Sequence, residues 1–600
     1  MSRTKHDILA GYEKNVALQQ AQVDGLKNKL NKISFSRLGL FVLEILVVAL
    51  IINVGYSWVF GMFAMVPVVL FLVLVKKQSK VQAELEYALK LLWIYQNEID
   101  HLTTGGNGYS AGEDYSSELH HYASDLDIYG QRSLFASINR CNTEKGLGLL
   151  ARHLGKAGDK ATILERQKAI TELTGCIEQT FHFRAILQDH DPSQLRAIEH
   201  KLQHQLPAQL GFTSGKFLRL YVKFAPLLSI GLLLASVIYN GLLWKIFGLL
   251  LLFNAGFTFS YMSDINKVYY GFTGGSNLLN AFAGTIKWTE ETSWKSDYLR
   301  GMFNGEMISE QIRQLSSIIQ AFDARLNIFV SAFLNLFLLW DLRCSVSLAN
   351  WHSRSSSHLV KGLYRISQFE ELISFATLTY NEPEWNFPVI EDTFRFTGTA
   401  LGHPLIREKE RVLNNFNLPD RQTVDIVTGS NMAGKSTFLR TAGINMVLAF
   451  AGAPVCAGSL SLSIFEVLSY MRIKDSLNDQ TSTFKAELNR LKMILDTTVA
   501  SANSFVLIDE MLRGTNSRDK YLGSKVFIEK LIAQGTPALF ATHDLQLSEM
   551  ETDHPEKIRN YHFDIQISKG EMEFDYKLKH GPCKTFNAAL LLKQIGLTLS

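Results

Sequence analysis

Two long apolar runs constrain this chain more than any other feature. Residues 38–75 read LGLFVLEILVVALIINVGYSWVFGMFAMVPVVLFLVLV, and Glu44 is the only charged residue among them. A bilayer-spanning helix needs about 20 apolar residues, so the run has room for two short spans. Asn53, Gly55, Tyr56 and Ser57 supply a polar turn in its middle, and Trp58 takes an interfacial position. Residues 224–262 repeat the pattern, with Tyr239, Asn240, Gly241 and Trp244 near the turn and Lys245 as the only charge. Lys27, Lys29, Lys32 and Arg37 precede the first run, and Lys76, Lys77 and Lys80 follow it. Lys216, Arg219 and Lys223 precede the second, and Lys267 follows. Cationic flanks stay on the cytoplasmic side. The expectation is two transmembrane helical hairpins in the cell (inner) membrane, a multi-pass arrangement with both termini cytoplasmic. Glu44 lies early enough in its span to reach the interface. The competing reading is two buried helical hairpins inside a large soluble core. A cleaved signal peptide is not expected, because a long polar segment precedes the first run. A third run, Ile328 to Trp340, is too short to span and reads as a buried helix.

The rest of the chain is ordinary in composition. At about 150 residues per domain, 600 residues suggest about four domains. An apolar fraction of 47% and a charged fraction of 20% exclude collagen-like, low-complexity and disordered classes. Lys and Arg number 60 against 57 Asp and Glu, so a net charge of +3 offers no global basic field for nucleic acid. Five scattered cysteines without CxxC or histidine pairing fit a reduced compartment and no structural zinc.

Local pattern divides the chain further. Residues 1–35 read as an amphipathic helix, with Leu9, Leu18, Val23, Leu26 and Leu30 forming a loose apolar stripe; a plain solvated helix fits as well. Residues 36–77 form hairpin 1. Residues 78–220 read as a helical region, interrupted by a glycine-rich loop from Gly105 to Ser117 and mostly helical over 118–215. Residues 221–263 form hairpin 2, and 264–383 form a proline-poor helical core with a lever-like role. Beyond Pro383 the texture changes: TVDIVTG, SFVLIDE and PALFATH alternate with helical stretches, an α/β pattern with a parallel sheet over 384–600. The fold class is a mainly α body with two membrane hairpins, plus a C-terminal α/β phosphate-loop domain.

The strand TVDIVTG runs into Gly429-Ser430-Asn431-Met432-Ala433-Gly434-Lys435-Ser436 and then a helix from Thr437. This is GxxxxGK[ST] between strand and helix, as phosphate binding requires. The glycines let backbone N–H groups approach phosphate oxygens, and the helix N-terminus adds partial positive charge. Lys435 reaches the β- and γ-phosphates, and the Ser436 hydroxyl ligates Mg²⁺. The strand SFVLIDE ends in Asp509, suited to the Mg²⁺ shell, and Glu510, placed as a general base on water. An acidic pair there could instead cap a helix. The third strand ends at His543, which could hold the attacking water or sense the γ-phosphate; a structural histidine is the plainer alternative.

Together these residues resemble the MutS family of DNA mismatch-repair ATPases, in the ABC-type class, specifically over about 400–600 and more weakly back to about 265. The family's TGPNMxGKST loop is matched by Thr428 to Thr437, with Ser430 in place of the usual proline. Its STFxxE segment appears as Ser482-Thr483-Phe484-Lys485-Ala486-Glu487, and the resemblance implies that this loop acts in trans on the partner's nucleotide. The DExxRGT segment appears as Asp509 to Thr515, with Leu512 where a glycine is usual before Arg513. Ala541-Thr542-His543 matches the ATH motif and His403-Pro404 the HP motif. Leu378–Pro388 resembles the end of the family's helical core, and Gly581–Gly596 the segment closing its ATPase domain. No FxE-type mismatch-reading motif stands near the N-terminus, and no helix-turn-helix or nuclease segment is expected after Gly596.

The resemblance implies ATP and Mg²⁺ as cofactors and a homodimer with composite sites. The expected function is a membrane-anchored ATPase, lacking the mismatch-recognition domain, that couples hydrolysis to clamp-like movement of its helical body on mismatched or branched DNA. The alternative is an ABC-type membrane ATPase with a non-DNA substrate or partner, although STFKAE is not an LSGGQ-type signature. A nucleotide-switched scaffold is a third reading.

Overall fold

The computed structural model describes residues 3–55, 58–188, 192–239, 241–270, 272, 275–303, 307–419, 421–430, 433–471, 483–512, 515–568 and 571–583. It opens with two very long helices, α1 (Lys5–Val54) and α2 (Trp58–Thr104). Thr4 and Asp7 cap the start of α1 reciprocally, and Gly55 at φ +95° closes its end. At about 1.5 Å per residue, α1 is about 75 Å long. The polar halves zip together through Val23, Leu26 and Ile33 against Val81, Leu85, Ala88 and Leu92. The amphipathic segment and the first apolar run are therefore one continuous helix. Its inward stripe also differs from the one read in the sequence. Ile8, Tyr12 and Ile33 are buried with Val23 and Leu26, while Leu18 is exposed, because the partner stripe on α2 selects the face. The apolar halves expose Phe41, Leu46, Ile52, Met62, Phe63 and Leu72.

The base of this hairpin is held by buried charge. Glu98 on α2 accepts hydrogen bonds from Arg140 Nε at 2.6 Å, Arg184 Nη2 at 2.7 Å and Asn381 Nδ2 at 2.9 Å. Burial opposes its ionisation, but the two guanidiniums outweigh burial and hold the Glu98 carboxyl well below the usual range.

The helices α3 (Lys160–Thr174), α4 (Lys216–Tyr239), α5 (Leu242–Ser260), α6 (Ile308–Asp323), α7 (Ile328–Leu338) and α8 (Trp340–Asn381) build most of the remaining body. The pair α4 and α5 is joined through Gly241 at φ +73°. Among the described residues, α1, α2, α4 and α5 are long and apolar enough to cross a membrane. Two sequence readings are corrected here. The run 328–340 is not buried: Ile328, Phe329, Val330 and Phe333 on α7 are exposed, and only Asn335 is buried within the helix. Residues 116–133 form turns rather than helix, with Asp127 and Arg132 at φ +51° and +58° and Gly130 between them.

Among the described residues beyond α8 there are ten strands: β1 (Val389–Glu391), β2 (Phe396–Leu401), β3 (Asn414–Asn417), β4 (Val424–Gly429), β5 (Ser459–Ser463), β6 (Glu466–Tyr470), β7 (Ser504–Asp509), β8 (Ala538–Thr542), β9 (Ile558–Ser568) and β10 (Glu571–His580). One mixed sheet runs β1-β5-β2-β3, the other β10-β9-β4-β8-β7-β6. In the second, β9, β4, β8, β7 and β6 are parallel, and β10 adds an antiparallel edge. Strands β4, β7 and β8 are buried at every residue, as expected for inner strands covered on both faces. Helices α9 (Lys435–Phe450), α10 (Thr483–Ala500) and α11 (Ser517–Gln534) accompany them. One continuous apolar core joins the helical body to this domain, running from Leu150 and Phe369 to Phe438 and Phe505.

Candidate functional site

Parallel pairing sets the site. Thr428 of β4 is in register with Thr542 of β8, and Ala541 of β8 with Asp509 of β7. The three neighbouring strands therefore end at one level, where open α/β sheets hold ligands. The loop after β4 needs its glycines. Gly429 has φ +146°, and a Cβ on it would meet the Phe563 carbonyl oxygen at 2.9 Å. Gly434 has φ +107° and serves as N-cap of α9.

Lys435 is buried, and its Nζ donates to the carbonyls of Gly429 at 2.8 Å and Ser430 at 2.9 Å. The same Nζ lies 3.3 Å from His543 Nδ1. His543 in turn places Nδ1 2.7 Å from the Gly429 oxygen and Nε2 2.5 Å from Glu510 Oε1. With Nδ1–H donating to the carbonyl, the short Nε2–carboxylate contact needs one proton between the two groups. Glu510 sits at φ +58°, and its N–H donates to the Ala541 carbonyl at 3.0 Å. Lys520 on α11 stands 3.9 Å from its other oxygen. Leu512 also occupies the left-handed region, at φ +54°. A glycine would sit there freely, whereas a leucine is strained.

Lys435, Glu510 and His543 line one cleft of ≈ 750 Å³, together with Ser436, Thr437 and Asp509. The lining also includes His403, Arg411, Val412, Arg440, Phe563 and Tyr576. Desolvation, then the Arg440 and Arg411 guanidiniums, push the His403 imidazole down to about 4, so it is neutral near pH 7. Ala433 is buried beneath the loop. Thr483 begins α10, and Glu487 is buried on that helix and does not line this cleft. Asn431, Met432, Ser482, Arg513 and Gly514 lie outside the described residues, as does most of Gly581–Gly596.

The aromatic wall was not read from the sequence. Phe563 and Tyr576 come from β9 and β10, whose alternating pattern around Gly570 signals a hairpin but not which cleft it closes. The links to the body were also not foreseen. Arg166 on α3 donates to the Ala451 carbonyl just past α9 at 2.8 Å and to buried Glu371 on α8 at 2.5 and 3.0 Å. Arg440 on α9 pairs with Asp127 at 2.5 Å. The turn segment docks on β6 and α10: Ser469 Oγ donates to Asp125 at 2.7 Å, and Arg490 Nη2 to the His121 carbonyl at 2.7 Å.

The C-terminal sheet thus defines an α/β domain whose adjacent strand ends enclose a polar cleft. Residues 425–591 match MutS domain V. The chain is 35% identical over 199 residues to a DNA mismatch repair protein MutS of Natronomonas pharaonis, covering 32% of this chain and 23% of that protein. It is 32% identical over 212 residues to the MutS of Thermotoga neapolitana, covering 34% and 26%. Against the MutS of Ehrlichia chaffeensis it is 29% identical over 269 residues, covering 44% and 32%. The match to the MutS family model lies within this C-terminal domain. The matched segments span about a quarter to a third of those relatives' own length.

Proposed function

We propose that this protein is a membrane-anchored ATPase of MutS type that couples ATP hydrolysis to movement of its helical body. The observation that carries the reading is the convergence of Lys435, Asp509, Glu510 and His543 at three adjacent parallel strand ends beside a glycine-bounded loop. A cleft of ≈ 750 Å³ is of the size that takes a nucleotide. Backbone N–H groups from Gly429 to Thr437 would cradle the phosphates. Lys435 would exchange its two carbonyl partners for phosphate oxygens. Ser436 and Asp509, on one cleft, are an oxygen donor pair that fits Mg²⁺, which when bound would offset phosphate charge. Glu510 would take a proton from water, held by its contact with His543. Neutral His403 with Phe563 and Tyr576 gives the cleft ring surfaces on which a base would stack.

The reading includes a homodimer, in which Ser482, Thr483 and Glu487 of one subunit complete the site of the other, and DNA, mismatched or branched, as the partner that the body grips. The similarity to DNA mismatch repair proteins supports DNA. The exposed apolar halves of α1 and α2 and the apolar surfaces of α4 and α5 support a bilayer anchor, and the cationic flanks of the apolar runs support both termini on the cytoplasmic side of the inner membrane. They also favour a second reading, an ABC-type membrane ATPase with a non-DNA partner. The test is the ATPase rate of the full chain in nanodiscs with and without homoduplex, mismatched and branched DNA. Stimulation by mismatched or branched DNA supports the first reading, and no response to any DNA supports the second. Lys435→Ala should abolish hydrolysis in either.

A further inference from the structure

We propose that α7 is a third membrane element of the second hairpin unit, inserted into the cytoplasmic leaflet without crossing it. The proposal rests on the reading of α4 and α5 as bilayer-crossing helices. From Asn327 to Trp340 the chain carries no charged residue. At about 1.5 Å per residue, the 11 residues of α7 reach only about 16 Å, half of a hydrocarbon core of about 30 Å. Its outward face consists of Ile328, Phe329, Val330 and Phe333, with Phe329 84% exposed. That face continues the apolar surface of α4 and α5, because α7 packs on both: Phe337 meets Phe247 of α5 with centroids 5.9 Å apart.

Depth follows from the contacts at its two ends. Arg325, just before α7, donates to Asn266, beyond the last turn of α5, at 2.6 Å. Leu336, near the other end, lies beside Asn254, nearly two turns inside α5. The helix therefore lies alongside the C-terminal half of α5, with Arg325 and Asp341 on its two flanks 3.7 Å apart.

Irregular backbone inside a bilayer is tolerated only when its polar groups are satisfied by protein. The breaks flanking α7 meet that condition. Asn327 Oδ1 accepts from the N–H groups of Phe329 and Val330 at its start. At its end the chain turns through Leu339 at φ +51°. There Asn335 Oδ1 accepts from the Asp341 N–H at 3.0 Å, and Asn254 Nδ2 donates to the Leu336 carbonyl at 2.7 Å. Asn254 is itself fully buried, and its carbonyl oxygen accepts from the Tyr221 hydroxyl of α4. A buried asparagine on an apolar helix that serves the backbone of a neighbour is what a membrane-embedded turn needs and a solvated turn does not.

The experiment uses full-length protein in nanodiscs, in a Cys176→Ser background, with nitroxide labels at Phe329→Cys, Ile328→Cys, Leu249→Cys on α5 and Leu119→Cys in the body. Collisions with oxygen and with a water-soluble nickel chelate are then compared. The proposal predicts loss of nickel collisions and gain of oxygen collisions at 329 and 328, matching 249 and opposite to 119. Nickel access at 328 and 329 with protection at 249 would overturn the proposal and leave the hairpin reading intact. Nickel access at 249 as well would overturn that reading and the proposal with it. Protection of 328 and 329 from both reagents would mean that protein covers the face, and would also overturn the proposal.

Discussion

Gly434 starts α9 at φ +107°, and a Cβ built on it would lie 3.1 Å from Tyr576 Cδ1. Gly434→Ala should therefore cost about 1–3 kcal/mol in backbone strain and shift the loop amides. Removing Tyr576 by a second substitution should relieve only the contact, so nucleotide affinity should stay low; full recovery in Gly434→Ala/Tyr576→Ala would contradict the backbone argument. His403 gives a pH signature. Its folded value of about 4 lies below the ordinary 6.5, so between these values the unfolded chain binds a proton that the folded chain does not. Stability then falls as pH falls through that window, by about 3 kcal/mol for this group if the whole window is crossed. His403→Gln should lose correspondingly less stability than the natural chain between pH 7 and 4, measured by denaturant titration at each pH. Equal losses would contradict the assignment. The loop and strand-end residues were legible in the sequence because phosphate chemistry demands fixed types at fixed spacing. Phe563, Tyr576, Arg440 and Arg166 were not, because they reach the site or its helix through pairings with no local spacing rule.

At the scale of elements, α9 is held at both ends. Its N-terminus faces the cleft, and the carbonyl just beyond its C-terminus is pinned by Arg166 to Glu371 of α8. Arg166→Met leaves a buried carboxylate with His153 as its remaining ionisable partner within 2.9 Å, and should cost about 3–5 kcal/mol. The account expects the variant to keep ATP binding while hydrogen exchange in α8 no longer responds to nucleotide. A normal exchange response would show that this link transmits nothing. Periodicity and turn residues indicated the hairpins and the α/β texture. They did not show that α1 continues unbroken from its polar to its apolar half. Nor did they show that residues 116–133 turn rather than coil into helix: the segment docks on β6 through His121, Asp125 and Arg490, contacts that local propensity does not encode. The exposure of α7 was missed for a related reason. An apolar run of that length looks the same in sequence whether protein or lipid covers it.

At the scale of the molecule, one core joins a helical body, the base of the second apolar hairpin and a strand-end cleft, while the first hairpin packs through clusters of its own. The near-neutral charge of +3 reflects lysines and arginines that flank the apolar runs as well as those of the domain. If both termini are cytoplasmic, protease added to sealed inverted vesicles should remove N- and C-terminal tags alike; protection of both would reverse the orientation. Ser482→Ala should lower hydrolysis while sparing nucleotide binding, and unchanged turnover would refute a site completed by a second subunit. The most direct test of the account is single-turnover ATP hydrolysis by the full chain and by Glu510→Gln, with ATP binding measured in parallel. Glu510→Gln should bind ATP with near-unchanged affinity and lose hydrolysis by about 100-fold or more, the range for removing a general base. Hydrolysis at the natural rate in Glu510→Gln would contradict it.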